Sequence, residues 1–196
     1  ETFEIYGTYW ILEALAKSKR FNDAIKLIVN YYYPMIERWG ATTWWESFDI
    51  NRISYTQALS HGWGSSPTWF LTTHIAGIRQ TSSSTWEARP PLGGITLVSF
   101  VDAGLPVGMD KSVLQFRWDQ VSCKEHRIRI TAPPNFVGNV VLPYGASNGL
   151  QIQHNGSVIW QNGVALTNNV SAQTDGMHIR ITPGAYDIIA TRNACV

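Results

Sequence analysis

Along the first 79 residues the apolar positions fall at helical spacing. Between Trp10 and Lys17, the side chains of Trp10, Ile11, Leu12, Ala14 and Leu15 cover much of a helix circumference, as in a helix with neighbours on several sides. A second helix is expected from Asn22, a capping residue, with Asp23 in its first turn. Phe21, Ala24, Ile25, Ile28, Tyr32, Met35 and Ile36 follow the 3, 4, 7 spacing of one buried stripe, which Pro34 should bend or break near its end. A third helix is predicted after Ser66. Pro67 takes its first position, where the missing N–H costs nothing, and Leu71, Ile75 and Ile78 mark its core face.

After Arg79 the period changes. Gln80-Thr81-Ser82-Ser83-Ser84-Thr85 reads as a polar linker, and Pro90-Pro91 and Gly93-Gly94 punctuate the stretch beyond it. Downstream the period is 2. Leu114, Phe116 and Trp118 alternate with Gln115 and Arg117, and His126, Ile128 and Ile130 alternate with Arg127 and Arg129. Val158 and Trp160 flank Ile159, and Ile179 and Ile181 flank Arg180. Asn155-Gly156, Asn162-Gly163 and Pro183-Gly184 supply turns between these short runs. The expected fold class is α+β: a helical part over 1–79, a linker over 80–94 and an antiparallel, jelly-roll-like β-sandwich over 95–196.

Composition narrows the function classes. Charged residues make up 15% of the chain and nearly cancel, with Lys plus Arg at 15 and Asp plus Glu at 14, so no basic stripe suits nucleic acid. No apolar stretch approaches a membrane span, and the start Glu1-Thr2-Phe3-Glu4 is unlike a signal peptide, so any targeting signal is expected on sequence removed or not included here. No metal-ligand or cofactor motif stands out. Trp is abundant, with 9 residues; flat rings with a polar handle match the apolar faces and polar rims of sugars, and they also fill helical cores. Cys123 and Cys195 fit either one disulfide pinning the C-terminal tail or two buried thiols. The sequons at Asn155 and Asn169, taken with the cysteines, lean toward a secreted glycoprotein.

Two loops gather the candidate chemistry. Gly40-Ala41-Thr42-Thr43-Trp44-Trp45-Glu46-Ser47-Phe48-Asp49 sets a carboxylate among indoles, an environment that desolvates an acid and suits proton transfer. The plainer alternative is a surface Glu beside core tryptophans, or a helix-capping Asp. Leu59-Ser60-His61-Gly62-Trp63-Gly64-Ser65-Ser66-Pro67 delivers His61 and Trp63 just ahead of a helix, on glycines that permit close backbone approach. A satisfied structural histidine is the plainer reading of His61.

Taken in order, Tyr9-Trp10-Ile11-Leu12-Glu13-Ala14-Leu15, Ala41-Thr42-Thr43-Trp44-Trp45-Glu46, Leu59-Ser60-His61-Gly62-Trp63 and Gly77-Ile78-Arg79 resemble the last helical hairpins of an α-L-rhamnosidase. Softer likenesses continue through Arg89-Pro90, Val140-Val141-Leu142-Pro143 and Gly184-Ala185-Tyr186. The resemblance implies the last part of an (α/α) six-hairpin toroid followed by a β-sandwich, and hydrolysis of terminal α-L-rhamnosyl bonds with inversion. It implies Glu46 as general base and His61 as a sugar contact; Trp44, Trp45 and Trp63 are expected beside them.

The general acid of that family lies on earlier hairpins, which this sequence does not include. An inverting site needs two carboxyl groups roughly 6.5–9.5 Å apart. The resemblance therefore implies a partner in the N-terminal remainder of the same enzyme, and no activity from this chain alone. A non-catalytic, lectin-like protein reusing the same segment, and a purely structural role, are the alternatives from other classes.

Overall fold

The computed structural model describes residues 4–48, 58–109, 112–145 and 149–195. The chain forms two compact units, Glu1–Leu71 and Thr72–Val196.

In the first unit a 3-10 turn, Ile5–Gly7, leads into α1, Thr8–Lys17, which buries Thr8, Leu12 and Ala16 at intervals of one helical turn. Trp10, expected in the core, is instead exposed. α1 closes in a Schellman turn: Lys19 adopts φ 56°, its N–H donates to Ala16 O (2.9 Å), and the Arg20 N–H donates to Leu15 O (2.8 Å). That turn launches α2, Phe21–Tyr31, so that its cap falls two residues earlier than expected, at Arg20 and not at Asn22. Asp23 does lie in the first turn, paired with Arg20 Nε at 2.7 Å.

Pro34 ends α2 as predicted and restarts the chain as the short α3, Tyr33–Glu37. The break rotates Ile36 out of the stripe to the surface, while Tyr32 and Met35 stay buried. Ile5, Tyr32, Met35 and Trp45 form the core of this unit, with Leu27, Ile28, Trp39, Ala41, Trp44 and Phe48 packed on it. A 3-10 turn, Gly62–Ser65, opens α4, Ser66–Phe70, with Pro67 in its first turn. The chain then widens into a π-type helix, Leu71–Ala76. The change of winding turns Leu71 to solvent while Ile75 is buried, and Ile78 belongs to a strand and not to the expected helical face.

The second unit is a β-sandwich. Strands β1 (Ile78–Gln80), β2 (Thr85–Ala88), β6 (Val137–Leu142), β11 (Gly176–Ile181) and β10 (Val170–Gln173) make one sheet, in that spatial order. The other runs β3 (Phe100–Val107), β4 (Ser112–Gln120), β5 (Glu125–Ala132), β12 (Gly184–Arg192), β7 (Leu150–His154), β8 (Ser157–Gln161) and β9 (Val164–Ala165). Pairing is antiparallel except between β2 and β6. The period-2 runs enter as read: Leu114, Phe116, Trp118, Ile128, Ile130, Ile179 and Ile181 are buried, and Trp118 donates its indole N–H to Ile75 O at 2.9 Å.

Two expectations change. The polar stretch read as linker is a hairpin between β1 and β2, closed by its own hydroxyls: Thr81 Oγ1 and Ser82 Oγ each lie 2.7 Å from Thr85 Oγ1, and the Thr81 N–H donates to Thr85 O at 2.9 Å. Serine and threonine there satisfy the backbone of a turn, which composition alone does not separate from a linker. In β8, Ile159 and Trp160 are both buried, against the expected alternation; a register shift opposite, between Ile152 and Gln153, supplies the irregularity. Asn155-Gly156 and Asn162-Gly163 form the expected two-residue turns, all four residues with positive φ. Cys123 and Cys195 are disulfide-bonded, with Cα atoms 5.0 Å apart, and join the β4–β5 turn to the tail beyond β12. Among the described residues no helix is long and apolar enough to cross a membrane.

Candidate active site

The two loops singled out in the sequence pair through their main chains. The Glu46 N–H donates to Ala58 O (3.0 Å) and the His61 N–H to Trp44 O (2.8 Å), while Thr43 Oγ1 donates to Leu59 O. This pairing brings Glu46 and His61, fifteen positions apart in sequence, side by side, with Glu46 Oε2 3.7 Å from His61 Nδ1. Both side chains are about a quarter exposed. The same Oε2 accepts the Ala58 N–H at 2.7 Å, so the carboxylate is aimed by the main chain of the second loop.

Trp63 follows His61 on the 3-10 turn, and its ring centroid lies 4.0 Å from that of the imidazole. Gly64 is required where it stands: a Cβ there would sit 2.6 Å from Trp45 O and 3.2 Å from Trp44 Cβ. The close crossing of the loops therefore depends on a residue without a side chain.

The four expected aromatic and histidine contacts divide. His61 and Trp63 stand together near Glu46. Trp44 shares the loop pairing through its carbonyl, but its indole turns inward, donating to Thr68 Oγ1 (3.0 Å) and meeting Tyr32 edge-on at 5.4 Å. Trp45 is buried and stacks on Trp39 at 6.0 Å, within the core of the unit. Its carbonyl, and not its ring, approaches the site. Asp49 lies outside the described residues. Below the loops, Tyr32 shares a buried hydrogen bond with Ser66 (3.0 Å), and burial pushes its phenol up from the ordinary range.

On the far side of Trp63 opens an aromatic cavity of about 300 Å³, lined by Tyr6, Tyr9, Trp10, Trp63 and Trp69, with Ser65 and Ser66. Tyr6 meets Trp63 edge-on at 5.3 Å, and Tyr9 leans on Trp69 at 4.8 Å. Trp10, expected in the core, lines this cavity with Tyr6, Tyr9 and Trp69, none of which belongs to the two candidate loops. The available signal was the cluster of rings at 6, 9 and 10, one helical turn apart, with Trp69 on α4. Among the described residues no group of three or more His, Cys, Asp or Glu is placed to hold a metal ion.

No protein-family model matches the sequence, and no curated protein is found similar to it. Solved structures do match. An α-L-rhamnosidase from Dictyoglumus thermophilum superposes with a TM-score of 0.75 at 22% identity, covering 96% of this chain and 21% of that one. An α-L-rhamnosidase from Streptomyces avermitilis, complexed with L-rhamnose, superposes with a TM-score of 0.67 at 20% identity, covering 93% and 17%. The chain thus spans about a fifth of the length of the structures it matches, and nearly all of it shares their fold.

Proposed function

We propose that this chain is the C-terminal part of a glycoside hydrolase that removes terminal α-L-rhamnosyl groups with inversion, and that Glu46 is its general base. The observation that carries the reading is the Glu46–His61 pair, 3.7 Å apart and flanked by Trp63, on the two loops whose sequence resembles that family. Oε2 is anchored by the Ala58 N–H, so Oε1 is the atom to take a proton from water. The water oxygen then bonds to the anomeric carbon as the bond to the leaving oxygen breaks, and a general acid on the N-terminal remainder protonates that oxygen. His61 and Trp63 hold the sugar: imidazole to a hydroxyl, indole to an apolar face.

The remainder of the enzyme is the proposed partner. Val29, Tyr33 and Ile36, each about half exposed on the α2–α3 side, suit coverage by neighbouring hairpins. The disulfide, and the exposed positions of Asn155 and Asn169, suit secretion and glycosylation. The test is Glu46→Gln in the assembled enzyme, where turnover of an aryl rhamnoside falls by about 10²-fold or more. Near-normal turnover would end the assignment.

A second reading, a lectin-like protein that binds sugar without cleaving it, is favoured by the aromatic cavity, which needs no second carboxylate. Native mass separates the two. A partner chain in the particle supports the enzyme, and a homo-oligomer of 22.0 kDa units supports the lectin.

A further inference from the structure

The outward face of the seven-stranded sheet carries a second cavity, of about 510 Å³, whose lining lies wholly within the sandwich. Its chemistry follows from the alternation. Where β4, β5 and β12 turn Phe116, Trp118, Ile128, Ile130 and Ile188 inward, the intervening positions face outward as Gln115, Arg117, Asp119, Arg127, Arg129 and Asp187.

These side chains hold one another in place. Arg127 is bidentate to Asp187 through Nε and Nη2, at 2.7 and 2.6 Å. Arg117 clamps Asp119, with Nη2 at 2.6 Å, and reaches Asp102 at 3.3 Å. Arg129 Nη1 meets Asp119 at 3.2 Å. Three guanidinium groups thus meet three carboxylates; Asp119 stands behind the lining, paired with Arg117 and Arg129, so the network that forms the cleft is balanced in charge. At one end the Tyr186 ring stacks on His154, 4.9 Å apart and 10° from parallel.

A balanced cleft gives an anion or a cation no advantage. Planar donors and acceptors in fixed orientations do suit a ligand rich in hydroxyl pairs, which donates to a carboxylate and accepts from a guanidinium. A guanidinium carries five N–H donors, and the Asp187 pair uses only Nε and Nη2 of Arg127. Because the ion pairs already fix the rotamers, binding loses little side-chain freedom. The volume lies within the roughly 300–1,000 Å³ of small-ligand sites.

We propose that this cleft binds an uncharged saccharide, as a second, non-catalytic sugar site on the sandwich. Two sources share that chemistry: a free oligosaccharide, and a glycan carried on Asn155, which lines the cleft and accepts the Asp187 N–H at 2.8 Å. The proposal rests on the sheet face and not on Glu46, so the two readings fail separately.

The test is affinity electrophoresis of the assembled enzyme, made without glycosylation, through gels containing a neutral rhamnose-bearing polysaccharide, with polygalacturonate as the charged control. Retardation in the neutral gel is expected to survive Glu46→Gln and His61→Ala, and to weaken at least tenfold in Arg127→Ala and in Gln115→Ala. Gln115 is exposed and uncharged, so that variant keeps the test decisive if Arg127→Ala misfolds. In glycosylated material, loss of retardation that Ser157→Ala restores identifies the protein's own glycan as occupant; unchanged retardation identifies a free sugar. Wild-type enzyme that ignores the neutral gel, cleft variants retarded like wild type, or retardation by polygalacturonate alone would each overturn the proposal.

Discussion

The hydroxyl of Tyr144 lies 2.6 Å from Nδ1 of His126, and both side chains are sealed inside the sandwich. Burial, helped by Arg192 nearby, lowers the imidazole to about 4, and burial raises the phenol well above its ordinary range. In the unfolded chain the same histidine titrates at its ordinary 6.5. Between pH 6.5 and 4 the unfolded chain therefore binds a proton that the folded chain refuses, and stability falls as pH falls through that window. The full effect is on the order of 3 kcal/mol. The carboxylates with lowered values, Glu87, Asp119, Asp175 and Asp187, act at the lower end of this window and below it, while His154, also lowered by burial, adds to the loss that His126 causes within it. Denaturant midpoints at pH 7 and pH 4.5 measure the loss, and His126→Leu should flatten the slope; an unchanged slope in that variant refutes the assignment.

His61→Ala should weaken rhamnoside binding about tenfold or more while shifting the melting temperature little. The hydrogen bond that holds its loop is made by the His61 main chain to Trp44 O, which alanine keeps. Calorimetric titration of the assembled enzyme, beside a thermal melt, checks both. A protein that simply unfolds would show His61 to be structural.

Gly64→Ala forces a methyl group to 2.6 Å from Trp45 O. The carbonyl belongs to the loop that carries Glu46, so the loops must part or the turn must shift. A cost of about 1–3 kcal/mol is expected, the usual scale for overpacking, with a larger proportional loss in turnover than His61→Ala gives. Urea denaturation and a rhamnoside assay on one preparation test the pair of effects.

The Cys123–Cys195 bridge closes a loop of 72 residues. In the chain-entropy account such a loop is worth on the order of 4 kcal/mol, with measured gains often smaller. Cys123→Ser with Cys195→Ser should lower the guanidinium midpoint accordingly. Free-thiol labelling of the unreduced, denatured protein at both positions would show that no bridge forms.

Alone, the chain should not hydrolyse rhamnosides and should self-associate through its apolar helical faces. Tyr6, Trp10, Val29, Tyr33 and Ile36 are all about half exposed or more, and the proposed acid and barrel walls belong to the remainder. Activity should return when the N-terminal remainder is supplied. A monodisperse, active 22.0 kDa protein, by light scattering and turnover, would overturn the fragment reading.

The features legible in sequence were those with a local cause. The alternation around Phe116 and Ile128, the Asn-Gly turns and the break at Pro34 each follow from short-range sterics or a two-residue period. What escaped depends on partners distant in sequence. The hydroxyl-closed turn at Thr81–Thr85 and the β2–β6 pairing require residues 137–142 to be in place before 85–88 reads as a strand. At the site, the loops of Glu46 and His61 could be named from composition and resemblance, but Trp44 and Trp45 look alike in sequence. Only the packing of Tyr32 and Trp39 against them turns both rings away from the loops' outer side.

β12 comes last of the strands in sequence, yet it lies between β5 and β7 in the middle of its sheet. On the ribosome the six strands around it are made first and must wait, with two unpaired edges, until residues 184–192 emerge. A premature stop between Ala165 and Gly184 therefore removes the seam of the sheet and not a dispensable tail, and leaves the edges of β5 and β7 exposed and ready to pair with other chains.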